Sequence, residues 1–340
     1  MPETIRVKFS GRDPVATWLR QFPGRIPRWG RCEFIFNPTA EQYDWLVVYN
    51  DLDHARLEER LPCAREHSLL VTSEPSSIKC YGRAFTRQFG YVLTSQEEWA
   101  LPHPGRIYAQ PALQWFYGRN EQQCLTYDQM VAAPPLEKTR SIATVCSNKR
   151  QRHTLHNQRY EFVQKLRELL PDLDVFGHGV KPMRDKAEAL DSYRYHIAIE
   201  NHRGLHHWTE KLADPFLGAS LPFYSGCPNA GDYFPPESFI PIDIEDPAGT
   251  AKIIRQAIKN DEHQKRLPAI LEAQHLVLER YNLFAVLSCE IEARHDSEAE
   301  FAPGQLVQSR RLLRKRRPLV ALEGVYEKYR SRLLQRLRNR

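Results

Sequence analysis

Four blocks of the chain stand close together and in this order: Tyr195-His-Ile-Ala-Ile-Glu-Asn201, His207-Trp-Thr-Glu-Lys-Leu212, Leu221-Pro-Phe-Tyr-Ser-Gly226 and Tyr233-Phe-Pro-Pro-Glu-Ser-Phe-Ile240. The apolar run 195–199 reads as a strand that ends on two polar residues, 206–219 reads as a helix, and 221–224 as a second strand. Strand, helix and strand in succession build an open sheet with helices on its faces, and ligands of such sheets gather at the carboxyl ends of the strands.

The same rhythm extends in both directions. Upstream, 43–49, 68–72 and 91–94 read as strands and 57–61 as a helix, and the polar, Pro-rich stretch 132–139 reads as an interdomain linker. Beyond it come a strand at 141–146, an amphipathic helix at 158–170 and a strand at 173–176. Helices follow at 250–260 and 261–281, the second kinked at Pro268. The expectation is an α/β protein of two successive domains, 1–138 and 139–300, with a tail at 301–340. Its 340 residues, 41% hydrophobic, suffice for two cores.

Charge is unevenly placed along the chain. The formal net charge is +6, yet 309–340 hold twelve Lys or Arg against Glu323 and Glu327, so the tail carries +10 and the body −4. That distribution argues against a broad nucleic-acid-binding face, and no nucleic-acid partner is expected. Within the tail Val325, Tyr329, Leu333 and Leu337 recur every four residues beside Tyr326 and Leu334, the pattern of a basic amphipathic helix suited to an anionic membrane surface. The first eight residues lack a signal peptide's apolar core and no run is long enough to span a bilayer, so a cytoplasmic protein, peripheral on the inner face of the membrane, is expected. Seven scattered cysteines without a Cys-x-x-Cys pair read as reduced thiols.

Neither Gly-x-Gly-x-x-Gly nor a P-loop occurs, which removes dinucleotide folds and P-loop enzymes. The acidic pairs Asp51/Asp53 and Asp172/Asp174 and the group His202, His206 and His207 lack the further ligands a metal needs, so no metal or other cofactor is expected.

The four opening blocks resemble the α-1,3/1,4-fucosyltransferases of glycosyltransferase family ten, bacterial type. In that family a strand ends in Phe-Glu-Asn, followed by Tyr-Val-Thr-Glu-Lys, a Pro-Val-x-x-Gly turn and Tyr-x-x-Phe-x-Pro-x-Ser-Phe-Ile. The resemblance implies a GT-B architecture of two Rossmann-like α/β domains facing a cleft, the acceptor domain first and the donor domain second. It also implies an inverting, metal-independent transfer from GDP-fucose to a glycan hydroxyl, as in lipopolysaccharide or another cell-surface glycan. On that resemblance the donor-binding residues are Asn148, Arg159, Glu200, Asn201, His207, Thr209, Glu210 and Lys211, with Glu210 on the ribose and Lys211 on the diphosphate. An Arg and a Lys at helix starts suit the charge of a departing GDP.

The family's Glu in a Glu-Ser-Pro-like turn corresponds to Glu74 in Thr72-Ser-Glu-Pro75, which makes Glu74 the candidate general base. Lys79, Tyr81 and Arg83 downstream are candidates for the acceptor side. This chain has Ile199 where the family has Phe, His202 where it has Ser or Thr, and His207-Trp208 where it has Tyr-Val, so a different GDP-sugar, or a catalytically silent glycan-binding relative, remains an alternative.

Overall fold

The computed structural model describes residues 3–53, 57–122, 124–146, 155–177, 179–301 and 304–338, with side chains to 335. The chain forms two compact units, Met1–Ala112 with Leu283–Arg340, and Leu113–Asn282. It opens with strands β1 (Ile5–Ser10), β2 (Arg28–Trp29), β3 (Cys32–Ile35), β4 (Trp45–Tyr49), β5 (Glu58–Arg60), β6 (Ser68–Thr72), β7 (Tyr91–Thr94) and β8 (Arg106–Tyr108), and with helices α1 (Val15–Leu19) and α2 (Arg83–Thr86). The second unit contributes α3 (Tyr127–Ala132), β9 (Arg140–Val145), α4 (His156–Leu169), β10 (Leu173–Phe176), β11 (Tyr193–Ile199), α5 (Glu210–Leu217), β12 (Leu221–Ser225), β13 (Ile240–Pro241), α6 (Pro247–Lys259) and α7 (Glu262–Leu278). The chain then returns to the first unit with α8 (Leu283–Glu292), β14 (Leu306–Gln308), α9 (Arg310–Arg316) and α10 (Pro318–Arg338).

The first unit is built on a seven-stranded sheet in the order β2-β3-β1-β4-β6-β7-β8, parallel except at the β2–β3 edge. Strands β4 and β6 are buried along their whole length, as the centre of a sheet covered on both faces requires. One face packs Phe9, Trp18, Phe22 and Phe34 against Phe284, Leu287 and Ile291 of α8, with the Phe22 and Phe284 rings stacked at 4.0 Å. The other packs Leu46, Val48, Leu70 and Phe85 against Val307 of β14 and Leu313 of α9. The second unit is a five-stranded parallel sheet in the order β10-β9-β11-β12-β13.

The expected boundary at 138 therefore moves. The chain divides after Ala112, and α8 recrosses because Phe284, Leu287 and Ile291 complete the first core, each such burial contributing about 1.5–3 kcal/mol. Residues 301–340 are likewise not a separate tail: β14 pairs antiparallel with β5, and α9 docks through Leu313. That pairing also explains why 58–60 form a strand rather than the expected helix. Glu59 points inward to Lys8 of β1, Oε1 to Nζ 2.9 Å, and also accepts from the Tyr43 hydroxyl. A buried carboxylate held this way fixes the strand's register, since stranding either charge costs about 3–5 kcal/mol. The helix expected from 206 begins instead at Glu210, because His206 has a left-handed backbone (φ 61) and Thr209 supplies the cap. No described helix is long and apolar enough to cross a membrane.

Candidate active site

At the carboxyl end of β11, Glu200 is 1% exposed. Its carboxylate accepts from the backbone N–H of Thr209 at 2.8 Å and from the Thr209 hydroxyl at 2.7 and 2.9 Å. Thr209 is at the same time the N-cap of α5, its oxygen accepting from Lys211 N–H at 3.2 Å. One threonine thus ties the strand end to the helix start. Lys211 Nζ lies 2.9 Å from Glu210, 3.3 Å from the Thr209 hydroxyl and 3.7 Å from Glu200. Beyond Glu210 stands Lys186, 3.8 Å from it and 2.7 Å from the buried Asp214, whose second oxygen accepts from Phe116 N–H at 3.1 Å.

These five charges form a chain of alternating sign: Glu200, Lys211, Glu210, Lys186, Asp214. Burial pushes the Glu210 carboxyl up, but the ammonium groups of Lys211 and Lys186 outweigh it and hold it down at about 2. Burial alone would lower Lys211, but Glu210 and Glu200 raise it. Glu200 and Asp214, at the buried ends, are both pushed up by burial against the pull of one lysine each.

A third cation flanks the chain. Arg159, in the first turn of α4, is 7% exposed, and its Nη1 donates to Asn201 Oδ1 at 2.8 Å. Its Nε is buried with no hydrogen-bond partner among the described residues. After β12 the backbone passes so close to Glu200 that a Cβ on Gly226 would lie 2.4 Å from Glu200 Cγ and 2.7 Å from the Tyr224 hydroxyl. Only glycine lets the turn close over the carboxylate.

Residues 135–267 match the model of the glycosyltransferase family 10 (fucosyltransferase) C-terminal domain. The chain carries a family 10 glycosyltransferase domain. It is 32% identical over 139 residues to the 4-galactosyl-N-acetylglucosaminide 3-alpha-L-fucosyltransferase FUT5 of Gorilla gorilla gorilla, a match spanning 38% of this chain and 36% of that protein. It is also 32% identical over 69 residues to the alpha-(1,3)-fucosyltransferase FucT of Helicobacter pylori, spanning 20% of this chain and 14% of that one. Both matches thus span well under half of the relative's own length. A crystal structure of an alpha1,3-fucosyltransferase with GDP-fucose shares the GT-B fold at a TM-score of 0.51 and 14% identity, covering 89% of this chain and 94% of the other.

The family 10 domain brings Arg159, Glu200, Asn201, Thr209, Glu210 and Lys211 into one cluster. His207 is buried beside it with its ring 5.3 Å from that of His202, edge to face. Asn148 lies outside the described residues. His206 Nδ1 is 2.6 Å from the Tyr233 hydroxyl, and among the described residues no three His, Cys, Asp or Glu stand close enough to hold a metal ion.

In the first unit Glu74, Lys79 and Tyr81 share one loop beyond β6. Gln96 Nε2 donates to the carbonyls of Glu74 and Lys79 at 2.7 and 2.9 Å, and Asn50 Oδ1 accepts from Ser73 N–H at 3.1 Å and from the Tyr81 hydroxyl. Tyr81 is 3% exposed and its hydroxyl is engaged by Asn50, so it braces the loop. Arg83, the third acceptor-side candidate, donates its backbone N–H to Glu327 of α10 at 3.1 Å, and its Nε lies 3.7 Å from the same carboxylate. Sequence reasoning missed Lys186, Asp214, Asn50 and Gln96, which occupy no motif and act only through distant partners.

Lys211→Met is expected to destabilise the protein by about 3–5 kcal/mol at neutral pH, because it strands Glu200 and Glu210. Glu210 has its carboxyl depressed from 4.5 to about 2, so its stabilisation is fully present above about 4.5 and is lost as pH falls toward about 2. Urea unfolding of both proteins should therefore show the gap between them closing over that interval; a gap independent of pH would contradict the pairing.

Proposed function

We propose that this chain transfers fucose from GDP-fucose to a hydroxyl of a glycan acceptor, inverting the anomeric carbon and using no metal. The observation that carries the reading is the Glu200–Lys211–Glu210 chain with Arg159 beside it, at strand and helix ends of the family 10 domain. Lys211 and Arg159 supply fixed positive charge to the diphosphate. Lys211 now spends its ammonium on Glu210; a bound diphosphate replaces Glu210 as its partner and frees that carboxylate to accept from the ribose hydroxyls.

In the transfer the acceptor oxygen attacks C1 of fucose from the face opposite the leaving group. The bond from C1 to the β-phosphate oxygen breaks, GDP leaves with the electron pair, and the acceptor's proton passes to Glu74. Support for Glu74 is its place on the braced loop beyond β6. Incubation with GDP-fucose and a 4-galactosyl-N-acetylglucosamine acceptor should yield a fucosylated product with inverted anomeric configuration by NMR. Glu74→Gln should lower kcat by roughly 10²–10⁴-fold while GDP still raises the melting temperature. Transfer of a different sugar from its GDP donor, or binding without transfer, would favour the two alternatives; full activity in Glu74→Gln would remove it as base.

The same reading places the protein on an anionic membrane surface. Leu319, Leu322, Val325, Tyr326, Tyr329 and Leu333 of α10 are exposed, while Val320 faces the core, so the apolar stripe is turned outward among arginines. Co-flotation with phosphatidylglycerol vesicles should be lost in the variant Leu322→Glu with Tyr329→Glu; equal flotation of wild type and variant, or none by either, would contradict membrane contact.

A further inference from the structure

We propose that the loop from Glu74 to Arg83, together with Arg310 of α9, forms a subsite for an acidic group, carboxylate or phosphate, carried by the glycan acceptor. The inference rests on the transfer reading above and adds the acceptor's chemical class.

The loop is held in one shape. Ile78 and Lys79 N–H both donate to Pro75 O at 3.0 Å, closing a tight turn, and Gln96 draws the carbonyls of Glu74 and Lys79 together. The far side is closed by the returning C-terminal segment, where Arg310 Nη2 donates to Cys80 O at 2.7 Å. Two cations then bracket one buried ring: Lys79 Nζ lies 4.6 Å and the Arg310 guanidinium 5.6 Å from the centre of Tyr81.

Glu74 and Asp51 act on Lys79 from a distance, but neither Lys79 nor Arg310 closes a side-chain ion pair with a described residue. Asp51 is engaged by Arg12 at 2.9 Å and by the backbone N–H of Arg310 at 3.2 Å, and Glu327 by Arg83. The Lys79 ammonium makes no ion pair and has no hydrogen-bond acceptor among the described residues, and Arg310 Nε is buried without one. The hydroxyls of Ser76 and Ser77, in the same turn, are also buried and unpartnered. The loop that carries the candidate base therefore leaves the Lys79 ammonium, Arg310 Nε and two serine hydroxyls without acceptors among the described residues, and an acidic substituent on the sugar whose hydroxyl reaches Glu74 would supply them.

The charge state of Lys79 gives the subsite a pH signature. Burial, reinforced by Arg310, pushes its ammonium down to about 8, against the opposing pull of Glu74 and Asp51, with Arg12 adding a smaller push downward. An anion is held best while Lys79 is protonated, so affinity for an acidic acceptor should fall as pH rises through about 8, and affinity for a neutral one should not.

The test compares three acceptors with GDP present: 4-galactosyl-N-acetylglucosamine, the same disaccharide with its galactose C6 oxidised to a carboxylate, and its galactose 6-phosphate. Calorimetric titration reads binding whether or not transfer occurs, and KM for GDP-fucose-dependent transfer reads it in turnover. The expected result is binding of at least one acidic form about ten-fold tighter than the neutral one. Lys79→Met and Arg310→Met should each abolish that preference, and Lys79→Arg should restore it, in proteins whose circular dichroism matches wild type. Whichever acid is preferred identifies the group as carboxylate or phosphate. Equal binding of all three, or a preference that survives Lys79→Met, overturns the subsite. Absence of transfer with every acceptor would count against the fucosyl reading, while the titration would still decide the subsite.

Discussion

The hydroxyl of Thr209 is the contact on which the candidate donor site depends. It donates to the Glu200 carboxylate at the end of β11 and accepts from Lys211 N–H at the start of α5. Through that contact a buried carboxylate, which would otherwise be costly, becomes the anchor for a lysine, a second glutamate, a second lysine and an aspartate. Such a chain is rigid because each charge is the counter-ion of the next. Lys211 stands between Glu200 and Glu210, and Lys186 between Glu210 and Asp214, so the fold itself sets the place of each ammonium. Gly226 shows how tightly the turn closes over Glu200, leaving no room for a methyl group.

The first unit is organised by an equally long-range constraint. Its sheet is completed on one face by α8 and on the other by β14 and α9, all from the last sixty residues of the chain. The C-terminal segment consequently has two characters. Residues 306–317 are part of the fold and touch the Glu74 loop through Arg310, whereas α10 turns an apolar stripe outward. Treating 301–340 as one removable anchor, as charge alone suggests, would remove a core strand together with the exposed apolar stripe.

Local patterning made much of this legible. The strands at 68–72, 91–94 and 173–176 match the observed β6, β7 and β10 to the residue, because each is an apolar run bounded by polar turns. The Thr209-Glu-Lys211 run was singled out by the resemblance of four ordered blocks to family ten, since three adjacent polar residues carry no signal alone. The misread parts depend on partners far away in the chain. Residues 58–60 have leucines at helical spacing on either side, yet β14, some 250 residues distant, makes them a strand. Lys186 and Asp214 sit 28 residues apart and belong to no motif, and only folding reveals that they extend the charge chain. The partner of Arg83 is likewise invisible in sequence, because the Glu327 carboxylate lies 244 residues away.

The central claim is that the second unit holds the diphosphate of a guanine nucleotide on Lys211 and Arg159. Isothermal titration of GDP, UDP, CMP and ADP into the wild-type protein and into Arg159→Lys tests it most directly. The account predicts binding selective for GDP, weakened by roughly ten-fold or more in the variant, because a lysine cannot keep both the Asn201 contact and a forked contact with phosphate. Binding of another nucleotide in preference to GDP, or GDP affinity unchanged in Arg159→Lys, would contradict it.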